Sequence, residues 1–87
     1  MGKYDGLYQF LKNLPPEITE RTLTFEEIKR IIGNELPPSA FRYRAWWSNG
    51  IQPQPHCQAE SWLGAGWKVD SVDQKGKSVC FRRGSAD

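Results

Sequence analysis

The sequence is poor in the residues that build metal centres, disulfide scaffolds and membrane spans. Its 87 residues include two cysteines and one histidine. Cys57, Cys80 and His56 show neither the C-x-x-C nor the H-x-x-x-H spacing of metal ligands. Two cysteines are too few for a disulfide scaffold, and no segment approaches the ~18 apolar residues of a membrane helix. Because the N-terminus lacks a secretory pattern, we expect a cytoplasmic protein with reduced thiols, no metal, no cofactor and no membrane partner.

The residues of a catalytic site are also missing. His56 and Cys57 are neighbours, so on a helix their side chains diverge, whereas a Cys–His pair must face each other. Asp70 and Asp73 lie three apart on a predicted strand and therefore point to opposite faces. The glycines at 64–66 precede a strand rather than a helix, so they do not resemble a phosphate-binding loop. We expect a binding module that is not an enzyme.

What the chain does contain is aromatic residues and an uneven charge distribution. Aromatics make up 13 % of the sequence and include four tryptophans, which suffices to anchor a compact fold. The length predicts a single domain over residues 1–87, with 84–87 as a frayed tail. The net charge is +2: residues 1–40 carry five Lys/Arg against six Asp/Glu, and residues 41–87 carry seven against four. Residues 41–87 are thus the basic half of the chain, and they also contain all four tryptophans.

Hydrophobic periodicity and turn residues predict three main helices, one short helix and three strands. Thr24 and Glu27 form a capping box at the start of the second helix, and Gly33 is suited to its C-terminus. One glycine and two prolines predict a loop over residues 50–55. The predicted elements are, in order, helix Asp5–Leu14, strand Thr22–Thr24, a helix ending at Gly33, a short helix Ser39–Tyr43, helix His56–Leu63, and strands Trp67–Asp73 and Ser78–Arg83.

This order is that of a winged helix-turn-helix domain. We therefore expect an α+β, winged-helix-like fold, in which the short first strand joins the C-terminal β-hairpin to form a three-stranded sheet. In such folds a helix enters the major groove of DNA, and the hairpin tip contacts the adjacent backbone.

The winged-helix interpretation predicts a set of DNA contacts. Gln58 and Ser61 lie three apart on the expected open side of the third helix, where they would reach base edges. Lys75 and Lys77 lie at the hairpin tip and would neutralise phosphates, with Arg82 further along the last strand.

The segment from 42 to 49 suggests a second contact region. Arg42 and Arg44 alternate with aromatics and suit phosphate or base contacts. Trp46 and Trp47 are adjacent, so in an extended segment one of them is exposed, and we expect Trp47 to be that residue. Asn49 would offer a donor and an acceptor to a base edge. The alternative is that these tryptophans belong to the core.

Several motifs resemble a family of small bacterial and phage-associated domains of unknown function. They are Y-D-x-L-Y-x-F-L at 4–11, T-L-T-F-x-E-I-x-x-I-I-G at 22–33, L-P-P-S-A at 36–40, R-x-R-A-W-W-x-N at 42–49 and A-x-x-W-L-x-A-G-W-x-V at 59–69. The resemblance covers nearly the whole chain and implies a shared fold, but no activity or cofactor. Residues 50–58 depart from the shorter, Ser-His-containing stretch associated with the family.

Two functions remain open at this point. One is a DNA-binding module acting in regulation, defence or phage biology, for which homodimerisation on paired half-sites is an option. The other is a protein-binding inhibitor or adaptor that uses an exposed aromatic and arginine patch. A basic face joining the hairpin tip to Arg42 and Arg44 would favour DNA, whereas an apolar patch rimmed by Glu26, Glu27 and Glu60 would favour a protein.

Overall fold

The computed structural model of the chain describes residues 4–49 and 57–84. Within these ranges the elements are, in order, α1 (Asp5–Lys12), β1 (Glu20–Thr24), α2 (Phe25–Ile32), α3 (Pro38–Arg42), a 3₁₀ turn (Arg44–Trp47), α4 (Cys57–Gly64), β2 (Trp67–Asp73) and β3 (Ser78–Arg83). The α+β prediction is confirmed: the described residues form four α-helices, which correspond to the three main helices and the short helix that were expected, and the 3₁₀ turn is an additional element. The loop predicted over 50–55 lies outside the described residues, as does the tail after Gly84.

The three strands form one antiparallel sheet in the order β1-β3-β2, so β3 is the central strand. Leu23 of β1 pairs with Val79, and Val69 of β2 pairs with Phe81, with an irregularity in register between Val69 and Ser71. The alternation predicted for the hairpin is confirmed, because Val79 and Phe81 are both buried. The first strand joins the hairpin as the sequence predicted.

Helix α1 lies against α2 at unusually short range. Its predicted apolar stripe is confirmed, since Leu7 and Leu11 are buried. At Gly6 a Cβ atom would overlap the backbone carbonyl of Ile31 in the last turn of α2. Glycine inside a helix lowers the stability of that helix. We attribute its presence at position 6 to the close approach of the two helices, which leaves no room for a Cβ atom.

Helix α2 begins at the predicted capping box. The Thr24 hydroxyl accepts a hydrogen bond from the Glu27 amide at 3.0 Å, and the Glu27 carboxylate accepts one from the Thr24 amide at 2.8 Å. The Thr24 amide thereby stabilises the ionised carboxylate and lowers the pKa of Glu27. Gly33 ends the helix in the left-handed conformation, with φ at 68°.

The core is built on a row of aromatic rings between the helices and the sheet. Phe25 stacks on Trp47 with ring centroids 5.1 Å apart, and Trp47 stacks on Trp62 at 6.0 Å. Trp62 in turn packs against Phe81, with the two ring centroids 5.6 Å apart. These rings link α2, the 3₁₀ turn, α4 and β3, which positions the segment around the 3₁₀ turn relative to the hairpin.

None of the helices in residues 4–49 and 57–84 combines the length and the apolar character needed to cross a membrane.

Candidate functional site

Trp47 is a core residue, and the prediction that it is the exposed member of its pair is wrong. Its side chain is 2 % exposed, and its indole N–H donates to the Ala40 carbonyl at 2.9 Å. The ring lies between Phe25 and Trp62, where it fills the centre of the aromatic row. Trp46 is the partly exposed member, with its ring against Trp47 at 4.6 Å.

Asn49 joins the 3₁₀ turn to β2 and α4 by three hydrogen bonds. Its Nδ2 donates to the Val69 carbonyl, and its Oδ1 accepts from the Val69 amide, both at 2.9 Å. The same Oδ1 accepts from the indole N–H of Trp62 at 2.9 Å. Both polar atoms of the amide are therefore engaged inside the protein, and we assign Asn49 a structural role in place of the expected contact with a base.

Gln58 and Ser61 are buried, so the prediction that they lie on an open helix face is wrong. They are 8 % and 6 % exposed. The Gln58 amide donates to the Trp46 carbonyl at 3.2 Å, and the Ser61 hydroxyl donates to the Gln58 carbonyl at 2.6 Å. The reason is that α4 packs against both α1 and β2. Its exposed side chain in this region is the acidic Glu60.

Arg82 lies on the outer face of the sheet, but its charge is already paired. Its guanidinium lies 3.1 Å from a carboxylate oxygen of Glu20 and 3.4 Å from one of Asp70. The hydrogen bond to Asp70 is the largest of the effects that raise the pKa of Arg82. The phosphate contact predicted for Arg82 would have to compete with both carboxylates.

The same face holds the one group of candidate metal ligands found among the described residues. Ligand atoms of Glu20, Asp70 and Cys80 lie within 4.8 Å of one another. Burial, together with a hydrogen bond to Glu20, raises the pKa of the Cys80 thiol, which keeps it protonated. Because Arg82 also neutralises the two carboxylates, this group has the chemistry of an ion-pair network rather than that of a metal centre.

Lys75 and Lys77 are exposed, as predicted, but the turn that carries them is held against the helices. The Lys77 carbonyl accepts a hydrogen bond from the Phe25 amide at 2.8 Å, and the Gln74 amide donates to the Ala40 carbonyl at 3.2 Å. Lys77 itself has φ at 57°, a conformation that costs a non-glycine residue energy. The hairpin turn is therefore a fixed part of the surface near α2 and α3.

The two large apolar side chains that are most exposed among the described residues lie in α3 and directly after it, and one of them, Phe41, lines a groove together with Lys77 of this turn. Phe41, at 38 % exposed, and Tyr43, at 59 %, alternate with Arg42 and Arg44, which are also exposed. Neither ring is among the site residues that the sequence predicts. The available signal was the alternation of arginine with aromatics, but that pattern does not say which rings are buried.

We call the surface formed by these two segments the α3–turn surface. It consists of exposed residues of both segments, among which Phe41 and Lys77 line a common groove: Phe41, Arg42, Tyr43, Arg44, Lys75 and Lys77. Phe41 and Lys77 line one groove of about 420 Å³, with Phe25 also in its wall. None of the four cations forms an ion pair with another residue in the described ranges.

Carboxylates border this surface on two sides. Glu26 also lines the groove, where its carboxylate lies 3.7 Å from Lys29. Arg44 faces a separate cleft of about 500 Å³ that Asp70 also lines. Each of the two grooves thus combines a cation of this surface with a carboxylate, a mixture of the two patterns that would favour DNA or a protein partner.

Comparison with known proteins places the chain in a family. The model of the family described as "Domain of unknown function (DUF7662)" matches residues 4–85. The chain therefore belongs to this family, in agreement with the resemblance to a family of domains of unknown function. No curated protein and no solved structure matches the chain.

Proposed function

We propose that this domain is a non-catalytic nucleic-acid-binding module that uses the α3–turn surface, with DNA as the first candidate ligand. One observation carries the proposal: α3 and the hairpin turn, which are more than 30 residues apart in sequence, meet on one surface. The hydrogen bond from Gln74 to Ala40 and the groove shared by Phe41 and Lys77 bring them together. Within the described residues, these two segments carry four cations that lie outside every ion pair and two exposed aromatic rings.

The chemistry of the surface suits a polyanion with stacked bases. Lysine and arginine neutralise phosphates and release condensed counterions, which supplies affinity without sequence specificity. Arg42 and Arg44 can also bond phosphate oxygens through two N–H groups at once. Tyr43 and Phe41 offer ring faces to bases.

A relationship to winged-helix domains is part of the proposal. The order of helices and strands and the sheet order β1-β3-β2 support it. The burial of Gln58 and Ser61 argues against α4 as a helix that reads bases. We therefore propose that contact with nucleic acid is made by α3 and the turn in place of α4.

A protein-binding module is the second candidate, and the groove beside Phe41 favours it. Phe25 and Phe41 form its apolar wall, with ring centroids 5.3 Å apart, and Glu26 lies at its edge. Tyrosine and arginine, as at positions 42–44, are also common in the energetic centres of protein interfaces.

Salt-dependent DNA binding separates the two candidates. We would measure fluorescence polarisation of labelled 20-nucleotide single-stranded and duplex DNA between about 50 and 200 mM salt. Three or four phosphate contacts would weaken binding about 20- to 50-fold over this range on the single-strand slope of about −0.7 per contact. For Lys75→Ala/Lys77→Ala we expect weaker binding and a slope reduced by about 1.4 on single strands.

A matched control removes two charges elsewhere on the protein. Lys12 lies on α1, where its ammonium group contacts Tyr8, and Lys68 lies on β2. The double variant Lys12→Ala/Lys68→Ala has the same net charge as the test variant and should keep the wild-type slope. Absence of binding to both DNA forms at 50 mM salt would exclude DNA as the ligand, and absence of binding to single-stranded RNA as well would refute the proposal and leave the protein-binding candidate.

A further inference from the structure

We propose that the ligand of the α3–turn surface is single-stranded nucleic acid, with bases stacked on Tyr43 and Phe41. This inference rests on the nucleic-acid-binding function proposed above and narrows it to one class of ligand. It follows from two properties of the described residues. Helices α3 and α4 lack the exposed polar face of a helix that reads a duplex, and the exposed rings of Tyr43 and Phe41 can stack on the bases of a single strand.

A helix that reads a duplex through its major groove needs an exposed polar or basic face. On α4 the residues expected to form that face, Gln58 and Ser61, are buried, and the exposed Glu60 would be repelled by phosphates. Helix α3 has five residues, and one of its exposed side chains is the apolar Phe41. Neither helix offers the contacts of a recognition helix.

The hairpin turn also lacks the freedom of a wing that reaches along a duplex. Its backbone is tied to α2 through the 2.8 Å hydrogen bond between the Phe25 amide and the Lys77 carbonyl. Its Gln74 side chain is tied to α3 at the Ala40 carbonyl. Lys77 is therefore held close to Phe41, where it can contact the phosphates of a strand whose bases lie on the exposed rings.

The two rings are arranged for stacking rather than for packing in the core. Phe41 contacts Phe25 through an edge-to-face arrangement with an interplanar angle of 80°, which orients its ring while leaving it 38 % exposed. Tyr43 is 59 % exposed and lies in extended backbone between α3 and the 3₁₀ turn. Two residues of chain span at most about 7 Å, so neighbouring bases of one strand can reach both rings. In a duplex the faces of internal bases are already covered by their neighbours.

Sequence-tolerant single-strand binders combine a basic track with aromatic platforms in this way. The α3–turn surface has both, since Arg42 and Arg44 flank Tyr43 in the sequence and Lys77 lines the same groove as Phe41. A base stacked on an aromatic ring contributes at least about fivefold to affinity, so the loss of Tyr43 should be measurable.

The test compares three labelled probes at 50 mM salt: dT20, the dT20·dA20 duplex and rU20. We expect dT20 or rU20 to bind at least tenfold more tightly than the duplex, and the ratio between them tells DNA from RNA. Tyr43→Ala should weaken single-strand binding by at least about fivefold. Tyr43→Trp should retain it, and Tyr43→Leu, which keeps apolar bulk without a ring face, should behave like the alanine variant. Since Tyr43 is exposed, circular dichroism should show all three variants folded like the wild type.

The outcomes separate this inference from the function on which it rests. Duplex binding as tight as that of dT20 would overturn the inference while leaving a nucleic-acid-binding function in place. Single-strand binding that Tyr43→Ala and Phe41→Ala both leave unchanged would also overturn it, because the rings would then not be the platform. No binding to any of the three probes would overturn both proposals.

Discussion

Replacing Asn49 with alanine provides a sharp test of whether this residue is structural or ligand-binding. Its side chain makes three hydrogen bonds, two to the backbone of Val69 and one to the indole N–H of Trp62. Alanine removes all three at once and leaves the partner groups behind. If the residue acts only through the fold, the whole effect should appear in stability.

The size of that effect follows from the burial of the groups left without partners. Trp62 is 0 % exposed, so its N–H would lose its partner in an environment that water does not reach. A buried unsatisfied polar group costs about 1–3 kcal/mol. Val69 is half-buried at an edge of the sheet, so water can partly replace Asn49 at its amide and carbonyl groups. We expect a total loss of about 3 kcal/mol, a large share of the roughly 4–13 kcal/mol typical of a domain this size.

The measurement is thermal unfolding followed by circular dichroism, together with urea titration. About 3 kcal/mol corresponds to a decrease in Tm of about 12–24 °C for a domain of this length. Asn13→Ala is the matched control, because Asn13 is exposed at the end of α1 and its substitution should change stability by less than about 0.5 kcal/mol. The reasoning is refuted if Asn49→Ala unfolds within 2 °C of the control. It is equally refuted if the folded variant loses DNA binding at a temperature where it is as folded as the wild type.

Four further predictions follow from local contacts. Gly6→Ala should lower Tm by about 5–15 °C although alanine favours helices, because the added Cβ would meet the backbone of α2; a rise in Tm would contradict this close approach. Thr24→Ala should cost about 1 kcal/mol in urea titrations, whereas the serine variant should keep most of the cap. Because folding lowers the pKa of Glu27, its stabilisation is present above its usual pKa of 4.5 and is lost as the pH falls through the lower folded value, so the Tm advantage over Glu27→Gln should shrink between about pH 5 and 3. Cys80 should react slowly with iodoacetamide at pH 8 in a background lacking the other cysteine, and Glu20→Gln should accelerate the reaction by lowering the thiol pKa; equal rates would contradict the role of that carboxylate.

Local signals in the sequence predicted most of the secondary structure. The bounds of β2 and β3 agree with the predicted strands, because β-prone residues alternate on both sides of a turn around Gly76. The start of α2 was equally predictable from the sequence, since the Thr24–Glu27 capping box is a contact within one helical turn. Helix α1 ends at Lys12 rather than at the predicted Leu14, two residues earlier and ahead of the two prolines.

The candidate site was harder to predict because its residues are defined by contacts far apart in sequence. Trp46 and Trp47 are chemically identical neighbours, and only the stacking of Trp47 between rings from α2 and α4 decides which of them is buried. The sequence placed Gln58 and Ser61 on an open face because one side of α4 is clearly apolar. It contains no signal that α4 is covered by α1 as well as by β2.

By itself, the sequence determined the elements, their order, the capping of α2 and the basic character of the C-terminal half, because these depend on neighbouring residues and on composition. The tertiary structure decided which polar and aromatic side chains remain exposed. It buried Trp47 and Gln58, engaged Asn49 with β2, and brought Lys77 of the hairpin turn beside Phe41. The physical reason is that burial and hydrogen-bond pairing are properties of the packed chain. They depend on which distant segments meet, and the local pattern of residues does not contain that information.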